Sequence, residues 1–406
     1  MPIESIEQRF TGRLKQRQDE HLYRQRPLSF SPQQPHMQIN GVHCINFCSN
    51  DYLGLANHPQ IQQRLIEVLQ NQEVSYGSGA AHLVTGHHLQ HHLLEDEIAD
   101  WLGVERVLLF STGFMANLAV LQTFAQKGDV ILGDKLNHAS LIDGALQSEA
   151  DFKRYPHLDT KSLEKRLKSA KSANQQAIIV TDGVFSMDGD LAPLDKIQEL
   201  TGRYNAWLIV DDAHGFGVLG EQGRGTLSHF KLTPDLNTLQ IGTLGKAFGC
   251  GGAFVAGSNT AIEALIQFAR PYIYTTASPQ LNAVAVREAL KIIKQADNSR
   301  QKLQIRIKQF RKGVTNLGLS LWDSPTAIQP ILLENSEKAI QWSEALKQQG
   351  FWVAAIRPPT VPQNQARLRI TLSASHTPKH VEALIEALKS LANQPPCTST
   401  QPAPKK

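Results

Sequence analysis

The stretch L-Q-I-G-T-L-G-K-A-F-G-C-G-G, Leu239 to Gly252, places one lysine, Lys246, among glycines directly after an apolar run of strand length. Upstream, W-L-I-V (Trp207 to Val210) runs straight into D-D-A-H, Asp211 to His214. Lysine and carboxylate at the ends of buried strands suit pyridoxal phosphate (PLP) chemistry. The amine can condense with the cofactor aldehyde, and the carboxylate can keep the pyridine nitrogen protonated so that the ring takes up electrons. Glycines let backbone approach a flat cofactor and its phosphate closely.

Outward from this stretch, residues from about 50 to 285 alternate short apolar runs with amphipathic helical patterns. Predicted strands are 107–110, 130–132, 177–181, 207–210, 239–243 and 253–256, with helices near 117–126, 139–146, 161–168 and 194–204. That alternation predicts an α/β fold with a mostly parallel sheet covered on both faces. Ligands in such sheets bind beyond the carboxyl ends of the strands, where Gly113, Asp211 and Lys246 all fall. From 286 to 390 a long amphipathic helix (283–317, interrupted near Asn298), short strands near 328–333, 352–355 and 367–371, and two more helices predict a smaller α+β domain. Residues 1–49 read as a charged helix, with Ile6, Phe10 and Leu14 at helical spacing, and a linking segment. The proline-rich end, 391–406, has the composition of a disordered tail.

The chain has 406 residues, 41 basic and 37 acidic, for a formal charge of +4. That mild balance gives no support to a nucleic-acid partner. No apolar run is long enough to span a bilayer, and the N-terminus has no signal core, so a cytoplasmic protein without a membrane partner is expected. The four cysteines fit a reducing compartment.

Other motifs carry weaker signals. S-T-G-F-M-A-N (Ser111 to Asn117) joins strand to helix, and Gly113 and Phe114 can offer backbone N–H groups to a phosphate. His138 and Ser186 each follow a strand, in D-K-L-N-H-A-S and D-G-V-F-S-M-D-G-D. G-F-G-V-L-G (Gly215 to Gly220) imitates a dinucleotide fingerprint, but E-Q-G-R-G follows where that fingerprint opens a helix. H-H-L-Q-H-H (His87 to His92) could catch Zn²⁺ adventitiously. It lacks the H-E-x-x-H general base and reads as a solvated helix start, so no metal is expected. Arg357, Arg367 and Arg369 are candidates for a substrate carboxylate, since the guanidinium fork matches two oxygens.

Taken together, S-N-D-Y-L-G-L (Ser49 to Leu55), D-G-V-F-S-M-D-G-D, V-D-D-A-H-G, G-E-Q-G-R-G, T-L-G-K, I-R-P-P-T-V-P and A-R-L-R-I-T-L resemble the α-oxoamine synthases. These are PLP enzymes of the aspartate-aminotransferase fold type that join an amino acid to an acyl thioester. The resemblance runs from about residue 10 to 390. It implies that Lys246 bonds pyridoxal 5'-phosphate and later moves the substrate Cα proton. Asp211 would pair with the pyridine nitrogen, His138 stack on the ring, and Ser186 and His214 contact the ring hydroxyl. Gly113, Phe114 and Thr243 would place the cofactor, with Thr276 reaching the phosphate of a neighbouring subunit. Arg369 would hold the amino-acid carboxylate and Arg24 the acyl substrate, with Asn50 and Thr360 lining the site. The last three motifs point to members that condense L-alanine with pimeloyl-CoA or pimeloyl-acyl-carrier protein, as homodimers. His82, Phe216, Leu244 and Asp182 depart from the family's usual residues and bear on selectivity. Glycine or serine with a different acyl-CoA, or a catalytically silent PLP binder, remain as alternatives.

Overall fold

The computed structural model describes residues 5–20 and 22–393. Near the N-terminus, β1 (His36–Ile39) and β2 (Val42–Asn46) form an antiparallel hairpin. The large sheet follows, with β3 (Arg106–Phe110), β4 (Val130–Asp134), β5 (Asp151–Tyr155), β6 (Ala177–Asp182), β7 (Trp207–Asp211), β8 (Thr238–Thr243) and β9 (Ala253–Gly257). Its spatial order is β3-β9-β8-β7-β6-β4-β5. Strands β5, β4, β6, β7 and β8 pair in parallel, and β9 runs antiparallel to both its neighbours.

The middle strands are near-continuous apolar runs because helices cover both faces. Ile131, Ile179, Ile209 and Leu239 have no exposed surface. Burying each such side chain contributes roughly 1.5–3 kcal/mol. One edge strand, β5, is absent from the sequence-based expectation. Its residues D-F-K-R-Y are mostly exposed, so the apolar run that marks the other strands is missing there.

Toward the C-terminus, β10 (Ile328–Glu334), β13 (Ala366–Thr371) and β12 (Ala354–Ile356) form a small antiparallel sheet. The predicted strand at 352–355 is two strands in two sheets. Phe351–Trp352 (β11) pairs with β2, and after Val353 the chain crosses to β13. The segment before residue 50 is thereby stitched to the C-terminal part of the chain. The predicted long helix is two, Gln280–Lys294 and Asp297–Thr315, and the first spans the expected boundary at 286. Helix Ile6–Asp19 starts at a Ser5–Gln8 capping box, with Ile6, Phe10 and Leu14 all exposed. The expected disordered tail lies outside the described residues from 394 onward.

Candidate active site

Four adjacent parallel strands, β4, β6, β7 and β8, deliver their carboxyl ends to one place. Asp182 ends β6 opposite Asp211 at the end of β7, and Asp211 stands opposite Ile241 in β8. The loops that follow carry His138, His214 and Lys246. A cleft of about 180 Å³ is lined by Gly113, Phe114, His138, Asp211, His214, Thr243 and Lys246, and by Asn117, Ser140 and Asp182. Seven residues expected from the sequence therefore meet in one cavity.

The lysine loop is fixed from outside. Gly249 has φ +66°, and a Cβ there would lie 2.3 Å from the Ala56 nitrogen. Only glycine allows the loop to close on S-N-D-Y-L-G-L. In that motif the Asp51 carboxylate accepts from the N–H groups of Leu55 and Ala56 at 2.8 and 3.1 Å. The adjoining D-D-A-H turn is tied down by Asp212, whose buried carboxylate accepts from the Thr226 N–H at 2.6 Å. Burial raises Asp212 to about 7.

Lys246 Nζ lies 2.7 Å from His214 Nε2 and forms no ion pair among the described residues. Burial lowers its pKa to about 8, against the pull of Asp211 and Asp182. Burial, with Lys246 and Arg369 nearby, holds His214 well below its usual value. The neutral ring then takes a fixed tautomer. Tyr52 donates its one proton to Asn50 Oδ1 and lies 2.5 Å from His214 Nδ1, so it accepts there from Nδ1–H and the Nε2 lone pair faces the lysine nitrogen.

Asp211 is held by Asn117 Nδ2 at 2.6 Å and the Ala213 N–H at 3.1 Å. Asn117 Nδ2 also donates to Ser140 Oγ at 2.7 Å. His138 caps helix Ala139–Gln147, accepting at Nδ1 from the Ser140 N–H. Its own N–H donates to Asp182 at 2.8 Å. Burial lowers His138 and, together with the charge on Asp211, raises Asp182 well above the carboxylate range. Thr112 caps helix Gly113–Phe124 through the Met115 N–H, and no described residue accepts from the Gly113 or Phe114 N–H.

Arg369 is buried on β13 without a carboxylate partner among the described residues. Its guanidinium donates only to neutral oxygens: Ser186 O at 2.7 Å, Thr371 Oγ1 at 3.0 Å and Asn50 Oδ1 at 3.2 Å. Tyr52 Oη is also 3.2 Å from Asn50 Oδ1, so one polar chain runs from Arg369 to Lys246. Ser186 meets this chain through its backbone. Arg24 and Thr360 are elsewhere, in a groove with Arg17, Leu22 and Pro358–Pro359. Thr276 bridges to Ala81 on the surface. Phe216 and Leu244 are buried in the core, where Phe216 packs on Trp101 and Phe254, away from the cleft.

Tyr52 and Asn117 were not among the expected site residues, though each lies in a motif legible in the sequence. Asp182 was noted only as a departure from a usual Glu. None has a signal of its own; only strand register and loop contact bring them to the cleft.

The cleft fits PLP by its donor set. It holds a half-buried amine of lowered pKa, a carboxylate at a strand end and two free N–H groups at a helix start. Gly113 leaves room as well, since an added Cβ would meet only Thr243, at 4.0 Å. Fold and site define a PLP enzyme of the aspartate-aminotransferase type, and a family model for aminotransferase class I and II matches residues 42–388. A structure of SPT with a PLP internal aldimine superposes with TM-score 0.89 at 27% identity, covering 95% of this chain and 98% of that one. The 8-amino-7-oxononanoate synthase of Francisella tularensis superposes with TM-score 0.73 at 32% identity, covering 86% and 97%. The 8-amino-7-oxononanoate synthase of Hydrogenovibrio crunogenus is 65% identical over 98% of this chain and all of its own. That of Cellvibrio japonicus is 50% identical over 96% of each. The chain belongs to the 8-amino-7-oxononanoate synthase family.

Proposed function

We propose that the chain condenses L-alanine with a pimeloyl thioester, carried by CoA or acyl-carrier protein, releasing CO2 and free thiol and forming 8-amino-7-oxononanoate for biotin synthesis. The observation that carries this reading is Arg369. A buried guanidinium with only neutral partners leaves its charge for an incoming carboxylate, and its polar chain ends on Lys246. The names of the relatives support the choice of substrates.

PLP, when bound, supplies an aldehyde that captures an amino group and a ring that takes up electron density from the substrate Cα. Lys246 would hold it, Asp211 would face the pyridine nitrogen, and His138 would lie against the ring. Gly113, Phe114 and Thr243 would take the phosphate. His214 and Ser186 would flank the ring hydroxyl. Arg369, steadied by Asn50, orients the alanine carboxylate. Lys246 Nζ takes the Cα proton and later returns one, a role suited to an amine with pKa near working pH. His138 can donate to the thioester oxygen as charge develops there. Arg24 and Thr360 share the groove that would take the acyl chain. Among the described residues no helix is long and apolar enough to cross a membrane, and Cys44, Cys48 and Cys250 are free. Both features support a cytoplasmic setting, and the fold type supports a homodimer.

The test is thiol release by the PLP-loaded protein with L-alanine and pimeloyl-CoA, beside glycine and serine with shorter acyl-CoAs. Release that needs alanine and pimeloyl-CoA, with the product confirmed by mass, is expected. Release only with another pair would move the substrates within the same chemistry. No release with either CoA- or carrier-bound pimeloyl groups would overturn the reading.

A further inference from the structure

The histidines near residue 90 are brought together with one more that the H-H-L-Q-H-H run does not contain. His82 opens the turn His82–Gly86, and helix Leu89–Leu102 begins just beyond it. His82 Nδ1 lies 3.1 Å from His87 Nδ1, and a ring nitrogen of each of His82, His87 and His91 lies within 4.8 Å of the other two. Two nitrogens on a tetrahedral zinc at about 2.0–2.1 Å stand about 3.4 Å apart. The His82–His87 pair is therefore already close to the edge of a coordination tetrahedron.

The outer contacts suit the same role. A metal-bound imidazole normally donates its other N–H to a carbonyl or carboxylate, which fixes the ring and its tautomer. His91 accepts at Nδ1 from the His88 N–H at 3.1 Å, so its Nε2–H donates to Ser278 O at 2.9 Å. Coordination through Nδ1 keeps the carbonyl bond and exchanges only the His88 contact. His87 Nε2 faces Glu95 Oε2 at 4.0 Å, the place for a carboxylate behind a coordinating ring. Glu95 is anchored in turn by the Leu109 N–H at 3.0 Å. His82 is stacked on Tyr272, with ring centroids 5.4 Å apart. Burial lowers both His82 and His91 to about 4, which keeps them neutral with lone pairs available. His87 is the solvent-facing member and leaves an entry path.

We propose that His82, His87 and His91 form a binding site for one divalent transition-metal ion of the zinc type, outside the Lys246 cleft. The ion would staple the 82–86 turn to the helix beginning at Leu89 and, through Ser278, to the segment that follows Thr276. Its role would be structural, since no described residue of the catalytic cleft belongs to the set.

The test uses the full PLP-loaded chain, stripped with chelator, dialysed against zinc chloride and measured for bound zinc. About one zinc per chain is expected, with Tm rising as zinc is added. His87→Gln, at the exposed member of the trio, should lose the ion and the zinc-dependent rise in Tm while keeping its fold by circular dichroism. His82→Gln should do the same where it folds. His92→Gln, outside the trio, should keep both. Absence of bound zinc in the wild-type chain, or equal retention by His87→Gln, would overturn the site. Loss of zinc in His92→Gln would also overturn it, in favour of a surface set of His87, His92 and Glu95.

Discussion

The Lys246 cleft and the cluster around His157 use the same residue types and begin on neighbouring strands, yet they are wired in opposite ways. His157 lies between Asp134 and Asp190, at 2.9 and 3.0 Å, and Arg367 pairs with Asp188 close by. Charge there is closed on itself. Asp134 takes two further N–H donors, from Leu136 and Leu158, and Phe185 packs edge-on against the His157 ring. Burial works against the His157 cation, but the two carboxylates overcome it and lift the ring to about 10. Around the cleft, Asp211, Asp182 and Arg369 are buried and Lys246 is half-buried, and none forms an ion pair among the described residues. Opposite charges are held apart by neutral groups, and the space between them is the shape of the chemistry. Buried charge satisfied within the chain stabilises the fold; buried charge left waiting for a partner binds and reacts.

The largest break in that contrast is Lys246→Ala. Turnover should fall by at least about 10²–10⁴-fold, the span of a lost proton-transfer group. The visible absorbance of bound PLP should change with it. Stability should hold or rise, because a desolvated amine has been removed. A large loss of Tm would show that Lys246 belongs with the structural ion pairs instead.

His157→Gln should do the reverse, leaving thiol release intact while costing stability. Removing one member of a buried pair costs about 3–5 kcal/mol, and the His157 ring remains partly exposed, so about 2–3 kcal/mol is expected. The pH dependence has a definite sign. The folded pKa of about 10 lies above the ordinary 6.5, so the contribution is full below about 6.5 and is lost as pH rises through 10. Denaturant midpoints taken from pH 6 to 10 should fall in the wild-type chain and flatten in the variant. Parallel curves would refute the assignment.

Lys246 itself predicts a smaller effect at the start of the catalytic cycle. Only the neutral amine attacks an aldehyde, and the amine is neutral above about 8. Uptake of PLP by cofactor-free protein should quicken as pH rises through 8, and slow about tenfold per unit below it. A rate that stays flat from pH 6.5 to 8.5 would place the amine's pKa outside that window.

These differences mark what the sequence could disclose. The convergence of single residues in local motifs was legible: Lys246 after its strand, Asp211 after W-L-I-V, His138 and Gly113 at helix starts all line one cleft. The α/β alternation was legible because buried parallel strands are apolar throughout, and β5 was missed because an exposed edge strand has no such run. Sheet register was not legible, so nothing in D-G-V-F-S-M-D-G-D shows that Asp182 stands beside Asp211. Long-range closure was equally hidden. Arg369 stood in the sequence as a carboxylate candidate, but its contact with Asn50, 319 residues earlier, shows only in the structure. The groups missed are those whose role lies in a contact rather than in a motif.

Tyr52 tests that conclusion most finely. Its hydroxyl does not face the cleft directly and acts through His214. Burial raises its pKa to about 12, so it stays a donor throughout the working range. While it donates to Asn50 and accepts at its oxygen from His214 Nδ1–H, the imidazole must present the Nε2 lone pair to Lys246. Tyr52→Phe keeps the ring and its packing but frees His214 to take the other tautomer. A net hydrogen bond of about 0.5–1.5 kcal/mol implies a loss of roughly 2- to 13-fold in kcat/KM. A purely structural tyrosine would lower Tm and leave the pH profile in place. A positioning tyrosine should move the limb of the kcat/KM profile that belongs to Lys246, with Tm little changed. Lys246 is held near 8 partly by its surroundings, so a His214 that no longer accepts at Nε2 can donate to the neutral amine instead. That change favours the neutral amine, and the limb should shift to lower pH.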